Sequence, residues 1–471
     1  MLTRLDVSGF KNLVDLRVDF GPFTCVAGEN AAGKSNLFDA IEFLSLLADR
    51  SLMEAAQEVR ATVEHRAGDP RDLFWSRQSS QPRMRLAAEM IVPRNVEDDF
   101  GQPAKATITF LRYEIEIGFE LPAGPRKFGR LVLLEESLRH INRKEAPRRL
   151  LFPHSVRNWR DHVILGRRSG TDFISTEDRN GERLVKIHQD GGSRGQPKVA
   201  AAARAPATVV STITQADDPT ILTARREMQS WRRLALEPSS MRAPDNYNDQ
   251  DEMLANGRHL AATLYRVAHL TDEPEDVYAR IAARLAALTG VRVDGLFVDA
   301  DDTRESLTLV LLERNGARLP ARSLSEGTLR FLALCVLLED PSVTGLLCTE
   351  EPENGIHPAN LPSMVQLIQD LAVDPTTPPG GDNPFRQVIV NTHSPNVVQL
   401  VAPDDLLFAD ARPPHSGTRD YATLRLRPME GSWRASESRA VPVGKADLID
   451  YLTAPAGAQL TFSPAPSAGV A

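Results

Sequence analysis

Gly28-Glu29-Asn30-Ala31-Ala32-Gly33-Lys34-Ser35 is the stretch whose residue types and spacing most clearly could do chemistry. Glycines at both ends let backbone N–H groups converge on an anion without interference from side chains. A lysine adds charge, and a serine adds a hydroxyl suited to a hard cation. Such a loop grips a polyphosphate, with Lys34 at its outer phosphates and Ser35 at a bound Mg²⁺. The apolar run Phe23 to Ala27 ahead of it reads as a buried strand. Leu37, Ala40, Ile41, Leu44 and Leu47 behind it recur at helical spacing. The helix start adds a favourable field for anions.

Three further constellations follow. Leu346-Leu347-Cys348-Thr349 is an apolar strand that ends in Glu350-Glu351. Two acids there fit a magnesium-holding group, Glu350, followed by a general base, Glu351, that polarises an attacking water. Seen alone, the pair is equally an acidic strand-to-loop turn. Ser325-Glu326-Gly327 stands where a helix starts and can offer O–H and N–H groups to an anion; its plain reading is an N-cap. His393 follows the strand Val388 to Asn391, and the carboxyl end of such a strand faces the ligand crevice of an α/β sheet. A lone histidine is more often structural.

The elements that must position these groups read as an α/β chain. Residues 1–27 contain short half-exposed strands. Residues 84–92 and 107–119 look like strands, the second alternating Leu111, Tyr113, Ile115, Ile117 and Phe119 with polar positions. Residues 188–207 read as a loop or linker. Residues 218–237 and 252–289 read as helices, with Leu254, Leu260, Leu264, Val267 and Leu270 as core positions. Strands return at 291–298 and 306–313. A helix at 326–339, a strand at 345–349, a helix at 359–373, a polar loop at 374–385 and a strand at 387–391 follow. Residues 454–471, rich in Ala, Pro, Gly and Ser, read as a disordered tail.

The bulk numbers bound the rest. The chain has 471 residues, two or three domains' worth, and 42% of them are hydrophobic. Its net charge of -8 carries no global nucleic-acid signal. Cys25, Cys335 and Cys348 each lie in apolar runs and fit buried, reduced thiols rather than a zinc site or disulfides. The N-terminus lacks a signal-peptide layout, and no apolar run approaches the roughly 20 residues of a membrane span. A cytoplasmic protein without membrane contact is expected.

The motif order, phosphate loop, Ser-x-Gly, acidic strand, histidine strand, resembles that of ABC-type ATPases. The long gap between Ser35 and Ser325 resembles the SMC, RecF and OLD branch, in which an insertion divides the ATPase head. Ser8-Gly9-Phe10-Lys11-Asn12-Leu13, Glu351-Pro352-Glu353-Asn354-Gly355-Ile356-His357-Pro358 and Thr392-His393-Ser394-Pro395 are similar to motifs of that branch. The resemblance covers about residues 1–50 and 320–400. Stand-alone AAA ATPases of bacterial anti-phage defence systems look alike.

The resemblance implies an ABC-type P-loop head, a mixed sheet flanked by helices and split by an α+β and helical insertion. Its parts would be 1–120 and 321–453, with 121–320 as the insertion and 454–471 as the tail. It implies ATP and Mg²⁺ as cofactors, Asn12, Asn30, Ala31, Ala32 and Asn36 beside the nucleotide with the loop, and a homodimer or higher even oligomer. Gly28–Ser35 of one subunit would face Ser325, Glu326 and Gly327 of the other. Glu351 would activate water and His393 would contact the γ-phosphate. ABC ATPases at large carry Asp where this chain has Glu350, so slow hydrolysis is one expectation. Gln78 and Gln81 are alternatives for the glutamine that senses the γ-phosphate. No Toprim-sized segment follows Pro395; Asp404, Asp405 and Asp410 could suggest metal acids, but Asp404-Asp405 after Pro403 reads more readily as a short turn or helix cap. A nuclease or toxin effector would then be a separate chain.

Residues 126–168 hold twelve basic residues, Arg139, Arg143, Lys144, Arg148, Arg149, Arg157 and Arg160 among them, against four acidic ones. Trp159 and Phe152 lie in the same stretch. This segment is a candidate surface for DNA or RNA phosphates. A solvated face or a contact for an acidic protein are the alternatives. The reading is an ATPase that dimerises on ATP, associates with DNA and controls an effector in anti-phage defence or DNA repair. The alternative is a slow-hydrolysing scaffold that holds a toxin or nuclease inactive. A transporter ATPase fits poorly, because the insertion is long and membrane-coupling features are absent.

Overall fold

The computed structural model describes residues 1–30, 32–59, 69–75, 79, 81–121, 129–180, 182–190, 196–201, 205–290, 293–412, 422–436 and 441–453. At its centre is a six-stranded sheet in the order Arg232–Leu234, Gly345–Glu350, Arg386–Thr392, Phe23–Gly28, Leu406–Arg412, Thr423–Pro428. The first five strands run parallel and the last is antiparallel. Phe23–Gly28 and Arg386–Thr392 are buried along their whole length. That is the state of a parallel strand covered by helices on both faces, and it explains their continuous apolar runs. The helices Lys34–Leu47 and Glu326–Glu339 pack their apolar faces into the two main cores that flank this sheet.

A second sheet of eight antiparallel strands runs from Lys198–Ala201 through Arg130–His140, Phe110–Glu120, Arg83–Ile91 and Leu2–Ser8 to Leu16–Asp19. Leu111, Tyr113, Ile115, Ile117 and Phe119 point into its core, as their alternation predicts. A third sheet combines Asp245–Asn246, Ser306–Glu313, Val293–Asp301 and Arg318–Pro320. Residues between 121 and 320 therefore supply strands to all three of these sheets.

Several elements differ from their sequence expectation. Lys198–Ala201, expected within a loop, pairs antiparallel with Glu182–Ile187. The helix expected over 218–237 covers Pro219–Gln229, and Arg232–Leu234 instead joins the central sheet. Three residues are too few to show a strand period, so only the pairing partner reveals them. The helix over 252–289 is two helices, Leu260–Ala268 and Pro274–Thr289. Leu254 and Leu270 lie outside both and are exposed, whereas Leu260, Leu264 and Val267 are buried. Cys25, Cys335 and Cys348 are free and buried. No described helix is long and apolar enough to cross a membrane. The tail 454–471 lies outside the described residues.

Candidate active site

The loop after Phe23–Gly28 turns into the helix at Gly33, whose φ is 98°. A β-carbon there would run into the Asn12 side chain, so the position needs glycine on two counts. Asn12 Nδ2 donates to Ala32 O at 3.3 Å, and Asn36 Nδ2 donates to Asn12 Oδ1 at 2.8 Å. Both asparagines thus stand against the loop. Lys34 Nζ donates to the carbonyls of Gly28 and Glu29, each at 2.7 Å. Burial holds its ammonium below the usual lysine range, against the pull of the Glu351, Glu350 and Glu353 carboxylates. A cleft of about 250 Å³ opens here, lined by Asn30, Gly33, Lys34, Ser35, Asn36, Glu351 and Asn391. Ala31 lies outside the described residues.

The sheet register brings the acids to this cleft. Glu350 pairs with Asn391, and Asn391 with Val26, so the ends of three parallel strands meet at the loop. Ser35 Oγ donates to Glu350 Oε2 at 2.9 Å. Glu350 Oε1 lies 2.6 Å from Arg233 Nη2, yet it is buried and accepts no directed hydrogen bond. A hydroxyl and a carboxylate beside a polyphosphate cradle are the hard donors that suit Mg²⁺.

Glu351 has a φ of 44°, a left-handed conformation that costs a non-glycine residue roughly 1–3 kcal/mol. Its surroundings enforce that conformation. The Glu351 amide donates to Asn391 O at 2.9 Å, and lies 3.2 Å from Asn391 Oδ1. Its carboxylate accepts from Asn354 Nδ2 at 2.8 Å and meets His393 Nδ1 at 2.8 Å. Burial alone would raise its pKa. The Asn354 and His393 hydrogen bonds and the charges of His393 and Lys34 outweigh that and hold it below the usual glutamate range. Glu351 is therefore an ionised carboxylate aimed at the cleft. The His393 carbonyl accepts from Tyr451 OH at 3.0 Å, which ties this turn to the helix Lys445–Thr453. Glu353 lies deeper, where Thr392 Oγ1 donates to it and burial raises its pKa.

Ser325, Glu326 and Gly327 do not line this cleft. Ser325 caps the helix Glu326–Glu339, its Oγ accepting from the Thr328 amide at 3.2 Å. Ser325 and Glu326 are exposed. Gln81 is exposed in a bend and Gln78 lies outside the described residues. Asp404 accepts from the Trp433 amide and Asp410 pairs with Arg425, so both are structural.

The basic segment is less free than its composition suggests. Arg149 pairs with the buried Glu89, Arg143 with Asp161 at 2.6 Å, Arg160 with Asp161 at 3.9 Å and Arg139 with Asp172 at 3.6 Å. Lys144, Arg148 and Arg157 are exposed and make no ion pair among the described residues. Trp159 and Phe152 pack edge to face in a buried cluster with 5.5 Å between ring centroids, so neither offers a stacking platform.

Sequence reasoning missed Arg233 and the orienting roles of Asn354 and Asn391. Asn391 had a signal, because it ends the strand that precedes His393. Arg233 had none, since its link to Glu350 exists only through sheet pairing.

The central parallel sheet, the phosphate loop at its carboxyl end and the paired acids together define a P-loop ATPase head of the ABC type. The family profile described as "AAA domain, putative AbiEii toxin, Type IV TA system" matches residues 23–399, and the chain belongs to that family. It is similar to the DNA replication and repair protein RecF of Thermosynechococcus vestitus, 29% identical over 214 residues, which are 40% of this chain and 55% of that protein. The RecF of Synechococcus sp. is 32% identical over 197 residues, covering 39% of this chain and 51% of that protein. The chain spans about half the length of these curated relatives. Among solved structures, an SMC head bound to the C-winged helix domain of ScpA aligns over 91% of this chain and 98% of its own, at 12% identity and a TM-score of 0.46.

Proposed function

We propose that this chain binds and hydrolyses ATP between two head-to-tail copies and that the closed dimer regulates a separate effector in anti-phage defence or DNA repair. The observation that carries the proposal is the convergence of Lys34, Ser35, Glu350 and Glu351 on one cleft while Ser325 and Glu326 stand exposed elsewhere. Backbone N–H groups of the loop and Lys34 hold the phosphates. Ser35 and Glu350 are the residues that would hold Mg²⁺, which when bound neutralises phosphate charge. Glu351 orients and polarises the attacking water, and His393 steadies Glu351 from the histidine strand. A second copy supplies Ser325, Glu326 and Gly327 across the open side of the cleft. The family's name and the RecF relatives support the defence and repair settings. The exposed Lys144, Arg148 and Arg157 are the residues proposed to meet DNA phosphates.

Mixing two inactive variants tests the shared site. Lys34→Ala and Ser325→Arg each lack a half-site, but a mixed dimer has one composite site with both halves intact. The mixture regains ATP hydrolysis that neither variant shows alone. If both variants are folded and the mixture stays inactive, the shared site is wrong.

The contact between Glu350 and Arg233 favours a second reading, a slow-turnover scaffold that holds a toxin or nuclease inactive. A large gain in turnover on Glu350→Asp supports it, and an unchanged or lower rate removes it.

A further inference from the structure

Arg233 belongs to none of the motifs. It sits on the short strand Arg232–Leu234, which adds to the central sheet beside Gly345–Glu350 with Arg233 opposite Cys348. From there its guanidinium reaches three carboxylates. Nη2 lies 2.6 Å from Glu350 Oε1, and Nη1 lies 3.4 Å from Asp39 Oδ1 and 3.3 Å from Glu42 Oε2. Asp39 also receives Lys11 Nζ at 2.6 Å. Asp39 and Glu42 lie on the helix that begins at Lys34, so Arg233 ties the phosphate-loop helix to the acidic strand.

Glu350 divides its two oxygens. Oε2 is fixed by the Ser35 hydroxyl, while Oε1 faces Arg233 through charge without a directed hydrogen bond. A carboxylate oxygen paired with a side-chain cation is one that another cation must compete for. Among the described residues, ion pairs join three carboxylates, Asp39, Glu42 and Glu350, to Lys11 and Arg233. Without Arg233 the cluster would carry one more negative charge within a partly buried pocket. Carboxylate oxygens are the ligands that hard divalent cations prefer.

We propose that Arg233 is the resident counter-cation of the metal site: it keeps Glu350 and its acidic neighbours from taking a divalent cation before the nucleotide arrives. Metal entry then depends on the phosphates, which supply the missing negative ligands and draw the ion to Ser35 and Glu350. Arg233 is a positioning residue, acting on Glu350 rather than on ATP. The inference rests on Ser35 and Glu350 being the metal ligands, as proposed above.

The test is a Mn²⁺ titration of the full chain without nucleotide, read by the loss of the free-ion EPR signal. The chains are wild type, Arg233→Ala, Arg233→Met, Arg233→Lys and the double variant Arg233→Ala/Glu350→Gln. Arg233→Met keeps the apolar stem and serves if Arg233→Ala does not fold. Wild type and Arg233→Lys, which both keep a cation, show only weak binding. Arg233→Ala and Arg233→Met bind one Mn²⁺ at least about tenfold more tightly, the scale expected when one unit charge is removed from an intermediate dielectric. Adding Glu350→Gln abolishes the gain. The proposal is overturned if neither charge-removing variant binds Mn²⁺ more tightly than wild type, or if the gain survives Glu350→Gln. ATP binding by the wild-type chain, measured separately with a fluorescent analogue, reports on the ATPase reading. Its failure would leave the Mn²⁺ comparison readable.

Discussion

Replacing Glu351 with glutamine removes one charge and one proton acceptor and leaves the shape of the site intact. Glu351 is held in a left-handed backbone conformation and by Asn354 and His393, so its carboxylate is aimed before any substrate binds. A positioned general base contributes about 10²–10⁴ in rate, or roughly 3–5 kcal/mol of barrier. Glutamine can keep the Asn354 contact through its carbonyl oxygen, and the side chain is 31% exposed. The stability change is therefore below about 1 kcal/mol. Phosphate release at saturating ATP should fall by about two to four decades, while nucleotide affinity changes by less than about threefold. ATP-bound dimers should accumulate and be visible by light scattering. Because hydrogen bonds and nearby cations hold the Glu351 pKa below the ordinary glutamate value of 4.5, this group stays ionised at neutral pH. Its protonation therefore produces no acid limb in the rate between pH 6 and 8. A fall in rate smaller than about tenfold, or a loss that lies wholly in nucleotide affinity, would refute the assignment of Glu351 as the base.

Three further outcomes are expected. Gly33→Ala forces a side chain into a φ of 98° and against Asn12, and should abolish nucleotide binding while thermal unfolding of the rest of the chain shifts by only a few degrees. Glu136 is fully buried, accepts from the Val209 and Val210 amides at 2.7 and 2.9 Å, and has its carboxyl pushed up to about 7 by burial. Its folded pKa exceeds its unfolded one, so its favourable contribution is complete below the ordinary 4.5 and is lost as pH rises through about 7. Between pH 5 and 8 the stability of wild type relative to Glu136→Gln should therefore fall by roughly 2–3 kcal/mol, measured by urea unfolding. Finally, Lys144→Ala, Arg148→Ala and Arg157→Ala combined should lower the salt slope of DNA binding by up to about three units without changing stability. Arg149→Ala should instead destabilise the fold, because Arg149 pairs with the buried Glu89; an unchanged salt slope in the triple variant would remove the segment as a DNA surface.

Much of the site was legible in the chain because its parts are local. The phosphate loop is a contiguous run whose glycines, lysine and serine each have one physical job, and its strand and helix flank it directly. The helix over 326–339 and the buried strand before Glu350 were legible for the same reason: short-range periodicity and apolar runs encode burial. What stayed hidden needed contacts between distant segments. Composition marked 126–168 as basic but not that Arg143, Arg149 and Arg160 spend their charge on acids of the fold, nor that Trp159 is core. Leu254 and Leu270 follow a helical period and still lie outside the helices, because burial depends on what packs opposite.

By itself, then, the sequence determined that a polyphosphate loop, a Glu350-Glu351 pair and a strand-end histidine exist in this chain, since residue type and local spacing decide those. Only the tertiary structure decided that Ser35 meets Glu350, that His393 grips Glu351 and that Arg233 shares Glu350. Each of those meetings depends on the register of parallel strands, and parallel pairing joins segments whose separation along the chain carries no signal of their contact.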